Sequence, residues 1–215
     1  MKLSYFNVRG LAETSRLLLA IGGEDYTDFR YPLDVVDISV FNFKKDEFDA
    51  DKADGKLVKS LNKVPFLEVD GEVISQSKAI ERFLAKRFGL FGSSDVEVAQ
   101  IDSICEYVVD FKREYQKVRA LEGDAREEGM KVWFGETLVE RLQALDVIVG
   151  ETYSVGGKVS LADVVLYNFL TGFFDNVEGA TAATATAPHI QSVVAKVAEL
   201  DSVKQWLEKR PATNF

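Results

Sequence analysis

The sequence predicts a two-domain chain, an α/β domain followed by an all-α helical bundle. Three observations lead there. Up to about Phe88 strand-like and helix-like patterns alternate, and beyond it every patterned stretch has the period of a helix. "FLEV–DG–EVI" (Phe66–Ile74) sets an Asp-Gly pair between alternating apolar residues, the signal of a tight β-hairpin. "SLADVVLYNFL" (Ser160–Leu170) is apolar nearly all round, as expected of a helix at the centre of a bundle.

The elements follow in order. A strand over Lys2–Asn7 leads into a helix over Leu11–Ile21 and an extended piece near Tyr26–Pro32. A polar, Lys/Asp-rich connection precedes the hairpin. A helix from about Ser77 to Phe88 then shows Ile80, Phe83, Leu84 and Phe88 on one face. The order is β-α-β-(α)-β-β-α. "GLFGSSD" (Gly89–Asp95) reads as the linker, giving domains over 1–88 and 96–215. In the second domain Ile101, Ile104, Cys105, Val108 and Phe111 form a helical stripe, and another helix covers about Glu127–Val149. Ser160 and Asp163 have the spacing of a capping box. "EGATAATATAPH" (Glu178–His189) is expected to be an exposed, mobile low-complexity loop. A last amphipathic helix stops at Pro211. There is no internal repeat.

Composition excludes several function classes. Of 215 residues, 47% are hydrophobic and 28% charged, the profile of an ordinary globular protein. No apolar run approaches the roughly 20 residues of a membrane helix. Asn7 and Arg9 interrupt the place where a signal peptide would be apolar. A single cysteine, Cys105, rules out an internal disulfide and fits a reducing, cytoplasmic setting; on the apolar stripe it reads as an inert core thiol. A net charge of -9 argues against a nucleic-acid binder and requires local cations for any anionic ligand. The lone His189 lacks the companions of a metal site, and no phosphate loop or nucleophilic triad appears. Pro65 is odd at the mouth of a strand, because it has no N–H to give a neighbouring strand.

Four stretches become specific when taken together: "YFNVRGLAE" (Tyr5–Glu13), "KVPFLEVDG" (Lys63–Gly71), "QSKAIERFLA" (Gln76–Ala85) and "VKQWLEKRP" (Val203–Pro211). In this order and spacing, over essentially the whole chain, they resemble a cytosolic glutathione transferase. The nearest pattern is the sigma class, which includes glutathione-dependent prostaglandin D synthases and the S-crystallins. The resemblance implies a thioredoxin-like first domain that binds glutathione, a helical domain that contributes a hydrophobic substrate site, a homodimer, and no metal.

It also implies roles for individual residues. Tyr5 is catalytic, its neutral hydroxyl donating a hydrogen bond to the glutathione sulfur. A free thiol has a pKa near 8.5, and lowering it by about 2 units takes roughly 3 kcal/mol, close to what one hydrogen bond to a charged atom supplies. Read without its neighbours, Tyr5 is simply a strand-end tyrosine packing its ring. The Val64–Pro65 bond is expected to be cis, so that Val64 turns its backbone groups toward the cysteinyl part of glutathione. Gln76 and Ser77 open a helix whose N-terminus suits the γ-glutamyl carboxylate, and Ser77 equally suits a plain N-cap. Lys63 would face the glycyl carboxylate, or is a solvated surface charge.

The sequence departs from the class at three places. Leu11 stands where sigma enzymes commonly carry an arginine near the sulfur. The usual tryptophan and lysine are matched only loosely, by Phe48 and Lys52 in a segment over 35–61 that is longer than expected, with Lys44 and Lys45 competing. The acidic residue that reaches glutathione from a partner subunit falls on Asp110, with Glu106 one turn earlier as a substitute. The second substrate is expected against Phe6 and Leu11 and a helix face of Tyr107, Phe111 and Tyr115, a spacing that serves a core equally well. The implied activity is conjugation of glutathione to hydrophobic electrophiles. Isomerase or peroxidase chemistry, or an S-crystallin-like binding or structural role, are the alternatives. A thiol oxidoreductase is disfavoured, because no cysteine stands at position 5 and there is no CxxC pair.

Overall fold

A computed structural model of the chain describes residues 1–37 and 42–213. Its contacts divide into two compact units, Met1–Leu84 with Trp206–Phe215, and Ala85–Gln205. The α/β and all-α characters expected of the two parts are both present.

The first unit runs β1 (Lys2–Phe6), a 3₁₀ turn over Gly10–Ala12, α1 (Glu13–Gly22), β2 (Thr27–Tyr31), β3 (Asp34–Asp37), β4 (Asn42–Lys44), α2 (Asp46–Ala53), β5 (Phe66–Val69), β6 (Glu72–Ser75) and α3 (Ser77–Arg87). The main sheet has the order β2-β1-β5-β6, with β1 parallel to β2 and antiparallel to β5. The parallel pair is joined through α1, as a βαβ crossover requires. Asp70 and Gly71 both have positive φ, 51° and 82°, giving β5 and β6 the turn that their right-handed twist favours. On α1, Leu17, Leu18 and Leu19 are buried and Gly23 closes the helix in the left-handed region. The pair β3–β4 forms a separate two-stranded sheet that the polar composition of this region did not announce.

By its contacts the segment from Trp206 groups with this unit. The reason is a buried carboxylate on α1. Glu13 Oε1 accepts hydrogen bonds from Trp206 Nε1 at 2.9 Å and from Arg210 Nη1 at 2.7 Å. A buried charge needs such partners, so the end of the chain is tied to the start of α1.

The second unit holds α4 (Asp95–Arg119), α5 (Gly123–Val132), α6 (Leu138–Asp146), α7 (Leu161–Asn168), α8 (Val177–Ala183), α9 (Pro188–Glu199) and the first part of α10 (Asp201–Lys209). The helix expected near Glu127–Val149 is α5 and α6, joined by a π-helical turn over Trp133–Thr137. Every residue of α7 is buried, and the helix packs between α4 and α9. Its capping box is formed: Asp163 Oδ2 accepts the Ser160 N–H at 2.6 Å, while Oδ1 reaches out of the helix to the Ser154 N–H at 2.6 Å.

The Ala/Thr-rich stretch is not a loose loop. It forms α8 and a 3₁₀ turn over Thr184–Thr186, with Ala180, Ala183, Thr184 and Ala187 buried. Alanine is the best helix former, and small side chains let the segment lie close against its neighbours. Asn176 starts the helix by accepting the Gly179 N–H at 2.8 Å.

Candidate active site

The sheet register brings the principal sequence-predicted residues into one row. Ser4 lies opposite Phe66, and Phe66 opposite Ser75. One position further along these strands stand Tyr5, Pro65 and Gln76, side by side at one end of the sheet. The Val64–Pro65 bond is cis, as expected, and Val64 is half-buried beside it. Pro65 therefore enters at the strand's first position, where a missing N–H costs the ladder least.

Tyr5 is 8% exposed, and its hydroxyl oxygen accepts the Leu11 N–H at 3.2 Å. Burial pushes its pKa above the ordinary tyrosine value, only partly offset by the Leu11 amide and the nearby charge of Arg16. The hydroxyl is thus neutral at physiological pH, and with one lone pair engaged by Leu11 its proton is left for a further acceptor.

That placement depends on Gly10, whose φ is +40°. A Cβ at this position would lie 2.7 Å from the Tyr5 Oη and 2.9 Å from its Cε1. The preceding turn is held from below by Arg16, fully buried on α1, which donates from Nη1 to the Val8 carbonyl at 2.7 Å and to the Arg9 carbonyl at 3.4 Å. Neither role was foreseen. The signals were a glycine closing "NVRG" and an arginine beside the leucine run of α1.

At the other end of the row Gln76 has φ +74°, a left-handed conformation that costs a non-glycine residue about 1–3 kcal/mol. Its carbonyl accepts the Ile80 N–H at 3.0 Å, so Gln76 takes the N-cap position of α3 and Ser77 is the first helical residue. The N-cap role considered for Ser77 therefore falls one residue earlier. The first-turn N–H groups of a helix lack partners within it, which makes the start of α3 a favourable place for an anion.

Comparison with known proteins adds the deciding observation. The glutathione S-transferase N-terminal domain family matches residues 1–86, and the glutathione S-transferase C-terminal domain family matches residues 109–210. The chain belongs to the glutathione S-transferase family. A glutathione S-transferase of Anopheles gambiae is 33% identical over 99% of this chain and 97% of its own length. The hematopoietic prostaglandin D synthase of Gallus gallus is 32% identical over 99% and 97%. Among solved structures, a monomeric glutathione S-transferase from the hookworm Necator americanus superposes with a TM-score of 0.81 at 28% identity, covering 100% of this chain and 98% of that one.

The transferase places the remaining expected site residues unevenly. Phe48 is 6% exposed and packs edge-on against Phe6 and Tyr31, at 5.2 and 5.5 Å between ring centroids. Its ring is part of the core of the first unit. Lys52 is exposed on α2, and the lysine over the Phe48 ring is Lys45, at 5.4 Å. Lys44 pairs with Asp46 at the surface. Residues 38–41 of the long 35–61 segment lie outside the described residues. Lys63 is exposed beside Val64.

Of the residues expected to meet a second substrate, Leu11 is 59% exposed and Phe6 half-buried in the first unit, while Tyr107 is 48% exposed in the second. Phe111 and Tyr115 are not available. They are buried in the core of the helical unit, where Tyr115 packs on Trp133, Phe134, Phe173 and Phe174. The i, i+4, i+8 spacing turns gradually around α4, so its first member faces solvent and its last two face the core. Asp110 is exposed and paired with Arg113 at 2.9 Å.

Proposed function

We propose that this transferase binds glutathione along the row of Tyr5, Pro65 and Gln76 and stabilises its thiolate by a hydrogen bond from the Tyr5 hydroxyl. The observation that supports this most directly is that hydroxyl: buried, held neutral, and polarised by the Leu11 amide with its own proton still to donate. Val64 contributes its backbone to the cysteinyl part of glutathione, and Gln76 and Ser77 hold the γ-glutamyl end at the α3 N-terminus. Lys63, or a lysine near α2 such as Lys45 or Lys52, meets the glycyl carboxylate. The sulfur then attacks a hydrophobic electrophile: a carbon–sulfur bond forms as either a π bond of the electrophile or its bond to a leaving group breaks and takes the electron pair, and the thiol proton goes to solvent, to the adduct or to the leaving group. In the first unit the exposed Leu11, with the half-buried Phe6, is the apolar surface offered to that second substrate.

A sigma-like, cytoplasmic enzyme of detoxification fits this reading. So does a homodimer in which Asp110 of a second copy completes the glutathione site. A glutathione-dependent isomerase is the second reading, favoured by the match to a prostaglandin D synthase over nearly the whole chain.

The test is an ultraviolet titration of bound glutathione, comparing the protein with Tyr5→Phe. The thiol pKa is expected well below its free value and about 1–2 units higher in the variant, with glutathione affinity retained. Equal pKa values in the two proteins would remove Tyr5 from the mechanism.

A further inference from the structure

The buried ion cluster beneath the Tyr5 turn has a feature that packing alone does not require. Glu13, 1% exposed, receives the Trp206 indole and the Arg210 guanidinium on the same oxygen, Oε1. Its other oxygen, Oε2, makes no hydrogen bond and sits 3.5 Å from Arg16 Nη1. That same Nη1 lies 2.7 Å from the Val8 carbonyl, and Arg16 Nε lies 3.1 Å from Asp28 Oδ1. Asp28 is in turn gripped by Arg30, whose Nη1 reaches the side chain of Asn7 at 3.4 Å. With Nε held by Asp28, the Nη1 of Arg16 stands between two claims, the Glu13 carboxylate and the carbonyls of the turn, and in the folded chain the turn has it.

We infer that Trp206 and Arg210 are positioning residues for catalysis: by saturating Glu13 they leave Arg16 on the Val8 and Arg9 carbonyls, which fixes the turn that sets Tyr5. The turn contributes the two contacts that place the tyrosine, the bare Cα of Gly10 against its ring and the Leu11 N–H on its oxygen. Without Trp206 and Arg210, the cation within reach of the buried carboxylate among the described residues is Arg16. Arg16 needs to move by only about 0.7 Å to shorten its 3.5 Å approach to hydrogen-bonding distance, and doing so draws it off Val8. The turn then loses its buried donor, and the Tyr5 hydroxyl loses its fixed direction. Arg16 also acts on Tyr5 through its charge, so its displacement weakens the hydroxyl as a donor as well.

This inference rests on the reading of Tyr5 as thiolate donor, and its test separates the two. The thiol pKa of bound glutathione is measured by ultraviolet titration for the protein, Arg210→Gln, Trp206→Phe, Tyr5→Phe and the double variant Tyr5→Phe/Arg210→Gln. Arg210→Gln is expected to raise the thiol pKa by about half a unit to one unit, a three- to ten-fold loss of thiolate near neutral pH. Glutathione affinity should change less than about two-fold, because Val64, Gln76 and Ser77 are untouched. Arg210→Lys should restore most of the shift. Trp206→Phe keeps an aromatic ring at this position and removes the N–H, so it carries the test if Arg210→Gln does not fold. The double variant should titrate like Tyr5→Phe alone. If the tail variants fold and titrate like the parent while Tyr5→Phe shifts, the tail merely packs. If the effects of Tyr5→Phe and Arg210→Gln add, the tail does not act through Tyr5. If Tyr5→Phe itself shifts nothing, the donor reading and this inference fall together.

Discussion

Replacing Gly10 by alanine changes no polar group, yet it should cripple thiolate formation. The new methyl would sit 2.7 Å from the Tyr5 Oη, about 0.7 Å inside the roughly 3.4 Å at which ordinary contact begins. The tyrosine is almost fully buried, so its ring cannot swing freely aside, and the backbone at φ +40° resists the substitution as well. The backbone cost is about 1–2 kcal/mol of stability. The larger effect is on direction: a hydroxyl displaced by most of an ångström leaves both the Leu11 N–H and the sulfur. Losing a hydrogen bond to a charged atom forfeits about 1.5–3 kcal/mol, equivalent to a rise of about 1–2 units in the thiol pKa. The assay is the thiolate absorbance of bound glutathione against pH, with kcat/KM for chlorodinitrobenzene as a second readout and thermal unfolding as the control. At neutral pH, kcat/KM should fall by about ten- to a hundred-fold with glutathione affinity little changed. A folded Gly10→Ala protein with an unshifted thiol pKa would refute the idea that this glycine sets the tyrosine.

Three further outcomes are expected. Asp163→Ala removes acceptors from the Ser160 and Ser154 amides in the core of the helical unit and should cost about 2–4 kcal/mol, read by urea denaturation. Tyr115→Ala opens a hole in an aromatic core and should cost about 3–5 kcal/mol of stability while leaving KM for a small electrophile unchanged in the folded fraction. Because burial raises the Tyr5 pKa above 10.0, the pH–rate profile should climb with thiol ionisation and show no descending limb from Tyr5 until beyond pH 10. The linkage has the same sign: the folded state favours the protonated hydroxyl, so its contribution to stability is complete below the ordinary tyrosine value. It is lost as pH rises through the shifted one.

The elements that bring Tyr5, Pro65 and Gln76 into one row were legible because most of them carry a local signal. Pro65 is anomalous at a strand mouth, Asp70-Gly71 fixes the hairpin, and "QS" opens a patterned helix. The capping box of α7 was likewise written in two residues with a fixed spacing. For Phe111 and Tyr115 the sequence left core and substrate face equally open, because a helical spacing says which residues share a face and not what that face meets; the structure buries both. Phe48 was placed by spacing to a lysine, whereas its ring is claimed by Phe6 and Tyr31 from distant strands. The Ala/Thr stretch looked like low complexity because composition hides the value of small residues to a closely packed helix. The tail's allegiance to the first unit was invisible, since a carboxylate at position 13 gives no sign of which cation, 197 residues on, will reach it.

That separation in sequence has a consequence in time. Chains grow at roughly 5–20 residues per second, so Arg210 leaves the ribosome some 10–40 seconds after Glu13. During that interval the nascent first unit can pair its strands and close its hairpin, but the cation within reach of Glu13 among the described residues is then Arg16. By the inference drawn above, the strands and the tyrosine can form before the tail leaves Arg16 to the turn. Maturation of the site waits for Trp206 and Arg210 to reach the first helix.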